Sequence, residues 1–147
     1  MKTRLFIMFI ILSMSSMVFA SDADKYIADL DPAKDEKTII QAAKWVGEQK
    51  EEDAAVKLVA LLSDGRDMVR LNAVEALGYI AEEEYVDAIH KLILGDKNST
   101  VRYAAVLSAM RIKSEKSRAV FMKAKETETD LFIKDLYAQM EEKAKGK

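Results

Sequence analysis

The chain has 147 residues, of which 33% are charged, and its 23 basic and 25 acidic residues give a formal net charge of −2. It contains no cysteine, which excludes disulfides, thiolate metal sites and thiol catalysis. A mildly acidic chain without a basic block also argues against nucleic-acid binding, because contacts to phosphates supply much of that affinity.

Residues 1–20 have the pattern of an export signal. Lys2 and Arg4 form a short basic region, an apolar run follows from Leu5 to Leu12, and small or medium residues precede a cleavage point after Ala20. A membrane anchor is the alternative, but a spanning helix needs about 20 mostly apolar residues and this stretch is shorter and contains serines. We therefore expect a mature chain of residues 21–147 that is periplasmic or secreted and has no stable membrane anchor.

The mature part repeats one pattern three times. Thr38–Gly47 aligns with Val69–Gly78 and with Val101–Met110, at spacings of 31 and 32 residues, and Phe132 opens a degraded fourth copy 31 residues later. Apolar residues recur at helical spacing within each copy, and a second helical segment follows. Self-similarity of this period is typical of a repeat array, whose units bury their apolar faces against one another. The predicted fold is an all-α superhelix of about three and a half helix pairs, with units at about 38–68, 69–100, 101–131 and a partial unit at 132–147.

Equivalent positions just before these helices predict where the helices begin. Asp67 stands two residues before Val69, and the other copies have Glu36, Ser99 and Asp130 in the same place. Asp and Ser can accept hydrogen bonds from the free N–H groups of a helix start. We expect these residues to lie at the caps.

The repeats resemble the HEAT repeat family. The resemblance is carried by Val69-Arg70…Ala73…Ala76-Leu77-Gly78…Ile80 and by its copy Val101-Arg102…Ala105…Ala109…Ile112, each with an aspartate five residues before the valine. The short period is similar to that of the short HEAT-like repeats also found in phycobilin-lyase-type proteins. The resemblance covers about residues 37–140 and implies a right-handed stack of paired helices.

An aspartate is followed by an arginine six residues later in two copies, as Asp64 with Arg70 and as Asp96 with Arg102. One interpretation is a charged binding surface, and the other is a structural ladder in which each carboxylate pairs with an arginine of its own or the next unit. The resemblance favours the structural ladder, since in the family such a ladder holds neighbouring units together. The terminal copies break the pattern, with Ala33 and Ile39 in the first and Thr127 and Ile133 in the last.

His90 is the only histidine of the chain. It is a candidate general base or metal ligand, but one histidine without cysteine cannot form a zinc site of ordinary composition. Related HEAT-repeat hydroxylases bind iron through His-Glu pairs, which this sequence lacks. Because His90 aligns with Leu58, we expect it to be half-buried between helices or at the inner rim. We predict no catalytic residue, no metal site and no cofactor.

Two further positions concern the ends of the array. Trp45 aligns with the small residues Ala76 and Ser108, so it is predicted to lie in the core, with an exposed anchor as the alternative. The segment from Ser21 to Asp31 is predicted to form a leading half-unit.

The outer face of the third copy is the candidate binding surface. Tyr103, Leu107 and Met110 fall opposite the core face at 100° per residue, and the row is fully apolar only in this copy. Either the row contacts a partner, or the leading segment folds over it through Tyr26, Ile27 and Leu30. Leu71, at the matching position of the second copy, completes the set of candidate binding residues.

These features predict a non-enzymatic binding module or scaffold that recognises a protein or peptide partner. The alternative is a lyase-like or chaperone-like HEAT protein that acts on a small molecule or cofactor. A deep pocket with converging polar groups would favour the second function, and a shallow groove the first.

Overall fold

The computed structural model describes residues 21–146, so the predicted signal segment at residues 1–20 lies outside the described part. Within residues 21–146 every regular element is a helix, and none is long and apolar enough to cross a membrane. Two 3₁₀ turns, Glu52–Ala54 and Glu83–Tyr85, each lead directly into an α-helix. The α-helices are α1 (Asp22–Asp29), α2 (Glu36–Gln49), α3 (Ala55–Leu61), α4 (Asp67–Ile80), α5 (Val86–Gly95), α6 (Ser99–Ile112), α7 (Ser117–Thr127) and α8 (Leu131–Lys145).

The helices form a stack of repeating units. The first helices of the units, α2, α4 and α6, pack side by side, and the second helix of a unit packs on the first helix of the next, as α3 does on α4 and α5 on α6. Helix α1 leads the array by packing on α2, and α8 begins an incomplete fourth unit. The predicted all-α superhelix of about three and a half helix pairs is confirmed.

Two of the four first helices, α2 and α6, begin at a capping side chain that lies one residue earlier than predicted. Asp35 caps α2 through a bond from Thr38 N (3.0 Å), and Asn98 caps α6 through a bond from Thr100 N (2.8 Å). The predicted positions Glu36, Asp67 and Ser99 are instead the first helical residues, and only Asp130 is a cap as predicted. The residue before α4 is Arg66, whose side chain makes no cap bond.

The leading helix covers Trp45 and leaves the outer face of the third unit uncovered. The ring of Tyr26 stacks on that of Trp45 with centroids 4.6 Å apart, and Leu30 is buried in the core. Trp45 is therefore a half-buried part of the core edge. Helix α1 lies at the first unit, so the segment that was the alternative cover for Tyr103, Leu107 and Met110 packs elsewhere.

The fourth unit begins one residue later than its apolar pattern predicts. Ile133 is 1% exposed and takes the place of Val101, whereas Phe132 is 83% exposed. The spacing between the third and fourth units is therefore 32 residues rather than 31. The same correction puts Glu128, not Thr127, at the position of Asp96, and Lys134, not Ile133, at the position of Arg102.

Candidate functional site

Arg70 and Arg102 form a ladder of ion pairs, each between the first helix of one unit and the loop that leads into the next unit. Arg70 Nε donates to Asp96 Oδ2 (2.7 Å) and its Nη2 to Asp96 Oδ1 (3.0 Å), and Arg102 makes the same bidentate contact with Glu128 (2.9 and 2.7 Å). Each arginine also donates from Nη1 to the backbone carbonyl six residues earlier, at Asp64 and Asp96 respectively. Each arginine side chain thus joins the loop before its own helix to the loop before the next first helix.

The ladder differs from the sequence prediction at both of its ends. The carboxylate of Asp64 pairs with Arg66 (2.7 Å) and not with Arg70, which reaches only the Asp64 carbonyl. Glu128 was missed because the fourth unit was aligned one residue too early. Hydrogen bonds from Arg102 outweigh the effect of burial and lower the pKa of Glu128 to about 2. The ladder side chains are nearly buried and hold units together, so they offer little surface to a ligand.

His90 lies between α5 and α7 and has a serine as its partner. Its Nε2 is 2.9 Å from Ser117 Oγ, and its Nδ1 is 3.6 Å from a carboxylate oxygen of Asp87. The distance from Asp87 to His90 is too long for a good hydrogen bond. Ser117 is 3% exposed, and it begins α7 as the buried Val86 begins α5 in the preceding unit. Burial lowers the pKa of His90, with Lys116 adding to the effect. The arrangement is a buried polar contact between two helices.

Within residues 21–146 no three metal-ligating side chains come close enough to hold a metal ion.

The candidate binding residues are only partly exposed and do not all share one surface. Tyr103 and Met110 are each 37% exposed, and Leu107 between them is half-buried. Leu71 packs against the core of the second unit, so it does not extend the row. The row lies along α6 and borders two clefts that separate α6 from α8.

Small residues set how closely the first helices approach one another. A Cβ on Gly47 would lie 2.9 Å from Ala76 Cα, and a Cβ on Gly78 would lie 2.5 Å from Ser108 Oγ. Glycine is therefore needed for the contact of α2 with α4 and of α4 with α6.

The third unit has Met110 at the position of these glycines. The residue that would face it on α8, by the 32-residue spacing from Ser108, is Met140. Accordingly, the backbones of α6 and α8 barely approach within 8 Å, whereas those of the earlier pairs lie in close contact. The two large side chains take the place of small ones, and clefts remain between the helices.

The first cleft is mostly apolar and has a volume of about 500 Å³. It lies between α6, α7 and α8, and its apolar lining includes Met110, Phe121, Met122 and Met140. The second cleft, of about 540 Å³, is lined by Tyr103, Phe132 and Leu136 together with several polar side chains. Helix α7 contributes Phe121 and Met122 to this lining, which the repeated pattern of the first helices does not indicate.

Tyr137 also lines the first cleft, and its hydroxyl has no hydrogen-bond partner among residues 21–146. The residue is 3% exposed, and burial, with a contribution from the charge of Glu128, raises its pKa to about 12. The hydroxyl is therefore a neutral donor in an apolar setting. An unpaired buried hydroxyl is unusual, because it costs about 1–3 kcal/mol.

Comparison with known families identifies the repeats. The profile of the family described as HEAT repeats matches residues 55–139, which is more than half of the chain. The match includes the ladder arginines, the lining of the second cleft and most of the lining of the first. No curated protein matches the chain.

Proposed function

Since the chain belongs to the HEAT repeat family, we propose that it is an exported, non-catalytic binding module that recognises a protein partner through the α6–α8 face. HEAT repeats commonly mediate protein–protein interaction. Stacked repeats suit this role because they present an extended surface with few constraints on its outer residues.

The gap between α6 and α8 is the observation that carries the proposal. Apolar side chains remain exposed on both sides of it, with Tyr103 and Met110 on α6 and Phe132 at the start of α8. Exposed apolar groups that lie together are typical of interaction surfaces, whereas single ones are ordinary. In the earlier units the corresponding face is closed by the next helix.

Export is part of the proposal, and the cap of α1 supports it. Ser21, the expected first residue after cleavage, forms a capping box with Asp24: Ser21 Oγ accepts from Asp24 N (3.2 Å), and Asp24 accepts from Ser21 N (2.9 Å). After cleavage the Ser21 nitrogen would be an ammonium group, which the Asp24 carboxylate would neutralise. We also assign the units to the short HEAT-like form found in phycobilin-lyase-type proteins, because successive first helices begin 31 and 32 residues apart.

Crosslinking in the native envelope tests partner binding. The full chain and its Tyr103→Lys variant are expressed in their host, crosslinked and isolated, with Val56→Lys as the control because Val56 is 68% exposed on α3 at the other end of the stack. We expect a crosslinked protein that the Tyr103 variant loses and the control keeps, with equal melting temperatures. Loss of the crosslinked protein by both variants, or its retention by both, would overturn the assignment to this face.

Mass spectrometry of the same material should show a chain that begins at Ser21, and a full-length cytoplasmic product would contradict export.

A second candidate function is the binding of a small molecule or cofactor by a lyase-like or chaperone-like protein. The volume of the first cleft, about 500 Å³, falls in the range of small-molecule sites, and most of its lining is apolar. Native mass spectrometry of the protein purified from its host distinguishes the candidates, since a bound small molecule would add a discrete mass.

A further inference from the structure

We propose that the first cleft binds an amphipathic helix of the partner protein, with its apolar side in the cleft and acidic residues along the edges of that side. The inference rests on the proposed function and names the chemistry of the partner. Three features of the cleft support it: its shape, its charge and the charge of the rest of the chain.

The shape favours a helix. The cleft separates α6 from α8, whereas the corresponding first helices of the earlier units pack directly on each other, and α7 forms its third side. A groove between helices accepts the apolar side chains of a helix at spacings of three and four residues. Met110, Met122 and Met140 can adjust to such side chains, because methionine is unbranched and flexible.

The edge of the cleft carries positive charge that is not neutralised. Among residues 21–146, Lys113 and Arg118 line the cleft, are exposed and form no ion pair. Lys125 also lines it but is paired with Glu141 (2.6 Å). Among the described residues that line the cleft, the one remaining carboxylate is that of Glu115, so the two free cations outnumber it.

The sequence around the cleft differs in charge from the rest of the chain. Residues 111–125 contain six basic residues and one acidic residue, whereas residues 21–100 contain ten basic and eighteen acidic residues. A partner with acidic edges would therefore be attracted to this end of the stack and repelled by the other, which would fix its position. The chain's own last residues do not match this chemistry, since Lys143, Lys145 and Lys147 are basic.

Synthetic peptides test the inference on the full chain. The probe is a fluorescent amphipathic peptide of about 18 residues with leucine and methionine on one side and glutamate along its edges. One control peptide has lysine in place of each glutamate, and another has the same composition in scrambled order. We expect the glutamate peptide to bind at least about tenfold more tightly than either control, with affinity that falls as salt is added.

Charge reversal at the cleft provides the matched variants. The double variant Lys113→Glu with Arg118→Glu should bind the glutamate peptide about tenfold more weakly than the wild type, or weaker still. Lys91→Glu, at an exposed lysine of α5, should change the affinity for this peptide by less than about twofold. Both proteins should melt as the wild type does, because the altered side chains are exposed. The peptide should also become helical on binding, as measured by circular dichroism.

Other occupants give different results. Equal binding of the glutamate and lysine peptides would overturn the charge argument. Binding to vesicles of phosphatidylglycerol, but not to either peptide, would show that the basic end contacts a membrane. Concentration-dependent self-association abolished by the Lys113 and Arg118 variant would identify a second copy as the occupant. If neither peptide binds but Tyr103→Lys still abolishes crosslinking, the helix inference fails and the proposed function stands; if no partner is crosslinked either, both fail.

Discussion

The ion pair between Arg70 and Asp96 should be a major source of stability, which replacement of Asp96 by alanine tests. The side chains of Arg70 and Asp96 are 7% and 3% exposed, and the carboxylate accepts two bonds from the guanidinium and one from Asn98 N. Asp96→Ala leaves the Arg70 charge nearly buried, with the partly exposed Asp67 (2.7 Å) as its remaining ion-pair partner among residues 21–146. Removing one member of a buried pair costs about 3–5 kcal/mol.

The expected loss of stability in Asp96→Ala is large enough to measure and small enough for the variant to fold. Domains of this size are stable by about 5–15 kcal/mol, and each kcal/mol changes the melting temperature by about 4 °C. Asp96→Ala should therefore lower the melting temperature by about 10–20 °C in circular dichroism, and urea unfolding should give the same change in free energy.

Two further variants separate the buried charge from a general effect of losing a carboxylate. Glu141→Ala removes the acid of an ion pair whose side chains are both more than 40% exposed, so the melting temperature should hardly change. Adding Arg70→Met to Asp96→Ala should recover part of the lost stability, because no charge then remains unpaired. A single Asp96→Ala variant that melts within about 3 °C of the wild type would refute the role of the ladder.

Three other predictions concern Glu128, Tyr137 and Gly78. The pKa of Glu128 is about 2 in the folded state against an ordinary 4.5. Its ionised form therefore stabilises the folded protein above about pH 4.5, and this stabilisation is lost as the pH falls towards 2. Glu128→Gln should flatten the pH dependence of the free energy of unfolding, measured with urea at several pH values. Tyr137→Phe should raise the free energy of unfolding by about 1 kcal/mol, because it removes an unpaired buried hydroxyl, and a decrease would reveal a partner in solution. Gly78→Ala should lower the free energy of unfolding by about 1–3 kcal/mol despite the better helix propensity of alanine, because the new Cβ would meet Ser108. An unchanged free energy of unfolding would show that α4 and α6 can separate.

The sequence was sufficient for the fold because the signal is repeated. Apolar residues at helical spacing recur in each unit, so a helix boundary misplaced in one copy is corrected by the others. The fourth unit has no later copy to correct it. Phe132 and Ile133 are both large and apolar, and only packing against the third unit buries Ile133 and leaves Phe132 exposed. The one-residue error then concealed Glu128.

The candidate site was predicted only in part, since it depends on a distance between helices that no single segment contains. The apolar row on α6 was found from its periodicity, but the clefts also need α7 and α8, which lie later in the chain. One clue was present in the alignment, where Met110 takes the place of Gly47 and Gly78. The consequence of that replacement depends on the close contact between each glycine and the next helix, which the sequence does not show.

The last junction of the stack keeps the ion pair of the earlier junctions but lacks their close packing of first helices. Arg102 and Glu128 join the third and fourth units as Arg70 and Asp96 join the second and third, so the chain just before α8 is fixed in the usual way. Further along, methionines replace the small residues that close the earlier junctions. A junction that was merely unstable would be expected to lose the buried ion pair as well, because that pair costs more to disrupt than an apolar contact at a surface. Retention of the ladder beside an open cleft therefore favours a surface kept open for binding over a degenerate end of the array.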